Sequence, residues 1–88
     1  MSIPQLLREL LTAPGPSGYE TAPASVWRSA AGKFAEVSGD VVGSSVARVA
    51  GTANGPLLAV VGHIDEIGLI VTHIDEKGFL YFKDVGGW

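Results

Sequence analysis

Leucine and isoleucine recur at helical spacing near the start of the chain, and a break rich in proline and glycine follows. The apolar positions of this first stretch are Ile3, Leu6, Leu7, Leu10 and Leu11. Residues three and four apart share one face of a helix, so the spacing predicts a short amphipathic helix. The break runs from Thr12 to Gly18, and Ser17 with Glu20 has the spacing of a capping box that opens a second helix.

The rest of the chain changes from a helical pattern to one typical of strands. The second helix is predicted to bury Val26, Trp27, Ala30, Ala31 and Phe34 and to end near Gly32. Short strands separated by glycines are predicted at Val37, Val41–Val42, Val46 and Val49. Leu57–Val61 has no polar alternation, which predicts a central strand buried on both faces. The stretches 69–74 and 79–82 flank Asp75–Gly78, which has the length and the glycine of a hairpin loop.

Composition and charge narrow the possible partners. The 88 residues are 47% hydrophobic and 17% charged, with a net charge of −3 and six scattered cations, so no basic patch for nucleic acid is expected. The chain has no cysteine, and any metal must be held by histidine and carboxylates. It has no apolar run of the ~18 residues that a membrane span needs. We therefore expect a cytoplasmic protein, and its small, apolar make-up and abrupt end predict a piece of a longer one.

The segment Gly62–Gly68 carries the candidate chemistry. It follows directly on the predicted buried strand, so His63 would stand at a strand's carboxyl end, where open α/β sheets place their ligand sites. Residues two apart in an extended segment share a face, so His63 and Asp65 are expected side by side. A neutral imidazole suits a divalent metal, and a carboxylate can orient the ring. The alternative is a strand-end histidine bonded to backbone beside a solvated loop, because one histidine and one carboxylate are too few for a zinc site.

The string from His73 to Gly78 nearly repeats the string from His63. It follows a different strand and runs into the predicted hairpin, where Asp, Glu, Lys and Gly are ordinary turn residues. We therefore expect that His73 is not a metal ligand.

Three motifs together resemble a known family, the tetrahedral aminopeptidases, also called glutamyl or deblocking aminopeptidases and endoglucanase M-like proteins. They are the loop Ala13–Glu20, the segment Gly62–Val71 and the terminal Val85–Trp88, which occur here in the family's order. The resemblance covers nearly the whole chain. Asp40–Ser44 departs from it, since the family usually has Asn after the glycine, and this puts only local loop bonding in doubt.

The resemblance implies an α/β fold, namely the N-terminal part of a phosphorylase/hydrolase-like catalytic domain interrupted by a β-rich domain used in self-assembly. Residues 1–68 would belong to the catalytic domain, and residues 69–88 would begin the inserted one. By the same resemblance His63 is a metal ligand and Asp65 is the catalytic carboxylate that orients it. The intact protein would hold two divalent metal ions, zinc or else cobalt, act on peptides, and assemble from dimers into a dodecamer.

Other interpretations remain open at this point. An aminoacylase or carboxypeptidase-type metallopeptidase also places H-x-D after a strand, although Glu66–Gly68 and the Pro-Ser-Gly loop favour the tetrahedral group. A glycoside hydrolase is disfavoured, because Asp65 and Glu66 are neighbours whose side chains diverge. A catalytically inert fragment or a small β-rich interaction module is the non-enzymatic alternative, and the 88 residues alone are expected to be inactive.

Overall fold

The computed structural model describes residues 2–88 and shows two helices followed by two separate β-hairpins. The helices are α1 (Gln5–Thr12) and α2 (Thr21–Ala31), and the strands are β1 (Glu36–Gly39), β2 (Ser45–Arg48), β3 (Gly68–Ile74) and β4 (Leu80–Val85). The chain is elongated, with principal extents of 65 × 34 × 21 Å. This order of helices and antiparallel strands confirms the α/β class at the coarse level.

The two helices form where the apolar spacing predicts them. Helix α1 ends at Thr12, and Ala13 is extended because the next residue is a proline. Helix α2 tolerates Pro23 because that residue lies in the first turn. The helix ends at Ala31 with Gly32 as its C-cap, so the predicted end near Gly32 is confirmed. The predicted buried face was wrong except at Ala31. The buried residues of α2 are Pro23, Ala24 and Ala31, whereas Val26, Trp27 and Ala30 are only half-buried and Phe34 is exposed.

The first hairpin pairs β1 with β2 in antiparallel register, from Glu36 opposite Arg48 to Gly39 opposite Ser45. The prediction of a strand at Val41–Val42 was wrong, because the Asp40 carboxylate turns the chain there. Its Oδ1 accepts hydrogen bonds from the backbone N–H groups of Val42 at 3.0 Å and Ser44 at 2.9 Å. The Arg28 guanidinium joins α2 to this hairpin by donating to the Ser45 hydroxyl at 2.6 Å.

The prediction of a buried strand at Leu57–Val61 was also wrong for this chain. These residues adopt no regular secondary structure, and the side chains of Leu57, Leu58, Val60 and Val61 are 85–93% exposed. Buried central strands need a hydrogen-bonding neighbour on each side and cover on each face. Within residues 2–88 neither of the two hairpins pairs with this segment.

The second hairpin forms as predicted, with β3 and β4 antiparallel and a bulge between Val71 and His73. Its loop closes on the Asp75 carboxylate, which accepts from the backbone N–H groups of Lys77 and Phe79 at 2.9 Å each. Gly78 has a φ of +83°, a conformation that favours glycine. Across residues 2–88, neither helix has the length and apolar character needed to cross a membrane.

Candidate metal-ligand site

His63 and Asp65 lie side by side in the irregular segment that leads into β3. The His63 Nδ1 atom is 2.8 Å from Asp65 Oδ1 and 3.1 Å from the Asp65 backbone oxygen. The two side chains share one side of the backbone, which is the arrangement expected for residues two apart in an extended chain. The Asp65 side chain is 38% exposed and that of His63 is 86% exposed.

The surroundings of Nδ1 decide which nitrogen of His63 carries the proton. Both neighbours, a carboxylate oxygen and a carbonyl oxygen, can only accept hydrogen bonds. Nδ1 therefore holds the hydrogen and donates it to Asp65. In the neutral ring this leaves the lone pair on Nε2, the nitrogen that a metal ion would bind, on an exposed side chain.

The same contacts shift the ionisation of both groups. The hydrogen bond donated by the Ser17 hydroxyl, followed by that from His63, lowers the pKa of Asp65 below its ordinary value. The hydrogen bonds from the His63 ring to Asp65, with the carboxylate charge, raise the pKa of His63. Asp65 is therefore ionised at neutral pH, which is the state that orients a ligating imidazole.

A second segment, the loop Pro14–Gly18 between the helices, holds Asp65 and Glu66 in place. The Ser17 hydroxyl donates to Asp65 Oδ2 at 2.5 Å. The backbones pair in parallel, with the Ser17 N–H donating to the Glu66 oxygen at 3.1 Å and the Glu66 N–H donating to the Gly15 oxygen at 2.9 Å. The Gly15 N–H also donates to the Glu66 carboxylate at 3.1 Å. The loop and the H-x-D segment thus form one unit from two distant parts of the chain.

The hydrogen bond of Ser17 in this unit was not predicted from the sequence. The predicted capping box was wrong, because the residue that caps α2 is Glu20, without a side-chain cap, and the Ser17 hydroxyl is bonded to Asp65. Glu20 accepts instead from the Gly18 N–H at 2.7 Å. No pattern in the residues around Ser17 indicates that its hydroxyl bonds to a carboxylate 48 positions away.

His73 occupies a different environment from His63. It lies in β3 opposite Tyr81 of β4, and the two ring centroids are 5.5 Å apart. Asp75, the carboxylate two positions on, accepts backbone hydrogen bonds in the hairpin loop. Among residues 2–88 it makes no hydrogen bond to the His73 ring. The structure therefore keeps the two copies of the repeated string apart and gives only the first a carboxylate on its imidazole.

The donor set fits one metal ligand and not a complete site. Within residues 2–88 there is no cluster of three or more His, Asp or Glu side chains that could hold an ion. A catalytic zinc site draws on about three protein ligands. His63, with Nδ1 engaged and Nε2 free, has the chemistry of one of these, and Asp65 has that of its orienting carboxylate.

The chain is similar in sequence to a known family of peptidases. The family model of the M42 glutamyl aminopeptidases matches residues 43–88, which is more than half of the chain. FrvX of Escherichia coli strain K12, whose name assigns it provisionally as an aminopeptidase, is 57% identical over 53 residues, covering 60% of this chain and 14% of FrvX. The lysyl aminopeptidase of Pyrococcus furiosus is 34% identical over 88 residues, covering 94% of this chain and 24% of that protein.

A solved structure agrees with these relatives. The crystal structure of a TET aminopeptidase from the marine sediment archaeon Thaumarchaeota archaeon SCGC AB-539-E09 superposes with a TM-score of 0.83 and 36% identity. The match covers 94% of this chain and 23% of that one. The chain thus spans about a quarter of the length of such relatives, or less. It belongs to the M42 glutamyl aminopeptidase family.

Proposed function

We propose that this chain is the N-terminal part of a metal-dependent aminopeptidase that removes N-terminal residues from peptides. The observation that carries the proposal is the His63 ring, whose Nδ1–H is held by Asp65 at 2.8 Å while Nε2, on an exposed side chain, has no hydrogen-bond partner among residues 2–88. Family membership gives the reaction class, since the relatives are named as aminopeptidases. It also favours this reaction over the aminoacylase or carboxypeptidase alternative.

Each of the two side chains has a defined task in the proposed reaction. His63 would hold one metal ion through Nε2, and Asp65 would keep the ring in the required tautomer and make it a stronger donor. When bound, a pair of divalent ions, zinc or cobalt, supplies a water of lowered pKa and polarises the scissile carbonyl. Asp65 stays ionised at neutral pH because of its hydrogen bonds, so it can balance part of the positive charge beside the ring.

The proposal includes features that extend beyond these residues. The other metal ligands and the proton-transferring glutamate would come from further sequence, since residues 2–88 contain no group of three or more His, Asp or Glu side chains that could hold an ion. Residues 1–68 would belong to the catalytic domain and residues 69–88 would open an inserted β-rich domain used in homo-oligomer assembly. A cysteine-free composition is compatible with the reducing cytoplasm, where we place the protein.

The test compares two substitutions in the full-length protein that carries this chain. His63→Ala deletes a ligand, so zinc content and aminopeptidase activity should fall together. Asp65→Asn keeps an oxygen that can accept from Nδ1 but loses the charge, so much of the zinc should remain while activity falls by ~10–100-fold. Zinc content is measured by elemental analysis and activity with an aminoacyl-anilide substrate.

The matched control is His73→Ala, which removes an exposed imidazole packed beside Tyr81. Both zinc content and activity should stay near wild type. Full zinc occupancy in the His63 variant would contradict the assignment. A large loss of activity in a folded His73 variant would mean that the second copy of the string is the functional one.

A further inference from the structure

The Ser17 hydroxyl makes a side-chain hydrogen bond to Asp65 on the carboxylate oxygen that His63 does not use. We propose that Ser17 is a positioning residue that fixes the Asp65 carboxylate and, through it, the His63 imidazole. The inference rests on the proposed function of His63 as a metal ligand. It is carried by a chain of two hydrogen bonds, from Ser17 Oγ to Asp65 Oδ2 at 2.5 Å and from His63 Nδ1 to Asp65 Oδ1 at 2.8 Å.

The geometry of a carboxylate explains why a second partner is needed. Rotation about the last torsion of an aspartate is broad and roughly two-fold, so the side chain's own preference does not fix the carboxylate plane. The Asp65 side chain is 38% exposed, and water can compete for either oxygen. With Oδ2 bound to Ser17, turning the carboxylate away from His63 requires breaking that bond as well.

The position of Ser17 does not depend on its own hydroxyl. Its backbone N–H is bonded to the Glu66 oxygen, and Gly15 is bonded to Glu66 through both its oxygen and its N–H. These three bonds keep the loop beside Asp65 when the hydroxyl is removed. A substitution at Ser17 can therefore change the carboxylate's restraint without releasing the loop.

The hydroxyl's effect can be isolated with two side chains of the same shape. Ser17→Thr keeps a hydroxyl donor, whereas Ser17→Val replaces it by a methyl group, and Ser17→Ala removes only the oxygen. Ser38→Ala, at an exposed serine in strand β1 of the first hairpin, is the control for loss of a surface hydroxyl. All variants are made in the full-length protein that carries this chain.

The first measurement needs no metal. In metal-free protein with ¹⁵N-labelled histidine, the nitrogen chemical shifts of His63 report which ring nitrogen holds the proton. We expect the Nδ1–H form in wild type, Ser17→Thr and Ser38→Ala. In Ser17→Val and Ser17→Ala the Nδ1–H form should lose population to the other tautomer, because only the Asp65 backbone oxygen at 3.1 Å is then fixed beside Nδ1.

The second measurement is titration with Co²⁺, followed by its visible absorption, together with steady-state kinetics. Groups that hydrogen-bond to metal ligands typically change affinity or activity by ~10–100-fold, and Ser17 acts one contact further away, so we expect about 10-fold weaker Co²⁺ binding in Ser17→Val. The value of kcat should fall similarly with KM near wild type. Ser17→Thr should restore Co²⁺ affinity, kcat and the absorption spectrum.

The outcomes separate this inference from the proposed function. Wild-type tautomer and Co²⁺ affinity in both the Val and Ala variants would overturn the inference, and so would a Thr variant as impaired as Val. If His63→Ala also left Co²⁺ binding unchanged, the ligand assignment itself would fail, while the tautomer measurement would still decide whether Ser17 positions the ring. If His63→Ala lost Co²⁺ but Ser17→Val did not, only the inference would fail.

Discussion

Replacing Gly15 by alanine should loosen the unit formed by the loop and the H-x-D segment. A Cβ at this position would lie 2.5 Å from Cγ and 3.1 Å from Cδ of Pro23, whereas carbon atoms in contact are ordinarily ~3.5–4.0 Å apart. The proline ring is rigid and buried in α2, so it cannot turn aside. The relief must come from the loop moving away from the helix.

That movement acts on the bonds that hold Glu66. Gly15 accepts from the Glu66 N–H and donates to the Glu66 carboxylate, and both bonds lengthen if the loop shifts. Overfilling a packed position typically costs ~1–3 kcal/mol. If that cost falls on local opening, the amides that close the unit should exchange with solvent roughly 5- to 150-fold faster.

Amide hydrogen exchange of Ser17 and Glu66 in the full-length protein measures this directly. Gly51→Ala is the matched control, because the nearest atom to its added Cβ is the Ala53 oxygen at 3.8 Å, an ordinary contact. Exchange at Ser17 and Glu66 should be unchanged there. Protection within two-fold of wild type in the Gly15 variant, or equal losses in both variants, would refute the reasoning from the Pro23 contact.

Two further predictions concern protonation and metal binding. In metal-free protein the pKa of His63 should lie above the ordinary histidine value, because the Asp65 carboxylate stabilises the imidazolium. In Asp65→Asn this pKa should fall toward the ordinary value. An NMR titration that shows no fall would contradict the prediction. The contribution to stability that comes from the raised pKa of His63 is then fully present below the ordinary pKa of histidine and is lost as pH rises through the raised one. The 88-residue chain alone should bind zinc weakly and show no aminopeptidase activity, since one imidazole leaves the ion mostly hydrated. Tight stoichiometric zinc binding by calorimetry, together with turnover that a chelator abolishes, would contradict this prediction.

Several features that depend on neighbouring residues were predicted correctly from the sequence. Apolar residues three and four apart gave both helices, Gly32 gave the end of α2, and Asp75 to Gly78 gave the second hairpin. The pairing of His63 with Asp65 belongs to the same class, because an extended backbone alone brings residues two apart to one side. Local geometry also separated the two similar strings, since only one runs into a turn.

Contacts between distant parts of the chain were not predictable in this way. Ser17 and Glu20 have the spacing of a capping box, and the local pattern cannot show that the hydroxyl is bonded to a carboxylate 48 positions away. The same holds for the backbone hydrogen bonds between Gly15 and Glu66.

A competing local interaction explains the failed strand prediction at Val41–Val42. The valine pair indicated a strand, but the Asp40 carboxylate accepts hydrogen bonds from the backbone and turns the chain there.

The segment Leu57–Val61 leads directly into the site, and its conformation depends on contacts that the local pattern cannot supply. Its composition is that of a strand buried on both faces, yet its apolar side chains are 85–93% exposed and it pairs with neither hairpin within residues 2–88. Such a strand gains its hydrogen bonds and cover only from neighbours. The adjacent site forms without such neighbours, because hydrogen bonds within the chain already join His63, Asp65 and Ser17. The hydrogen bonds around His63 and Asp65 are therefore formed within residues 2–88, whereas burial of Leu57–Val61 would need packing that these residues do not supply.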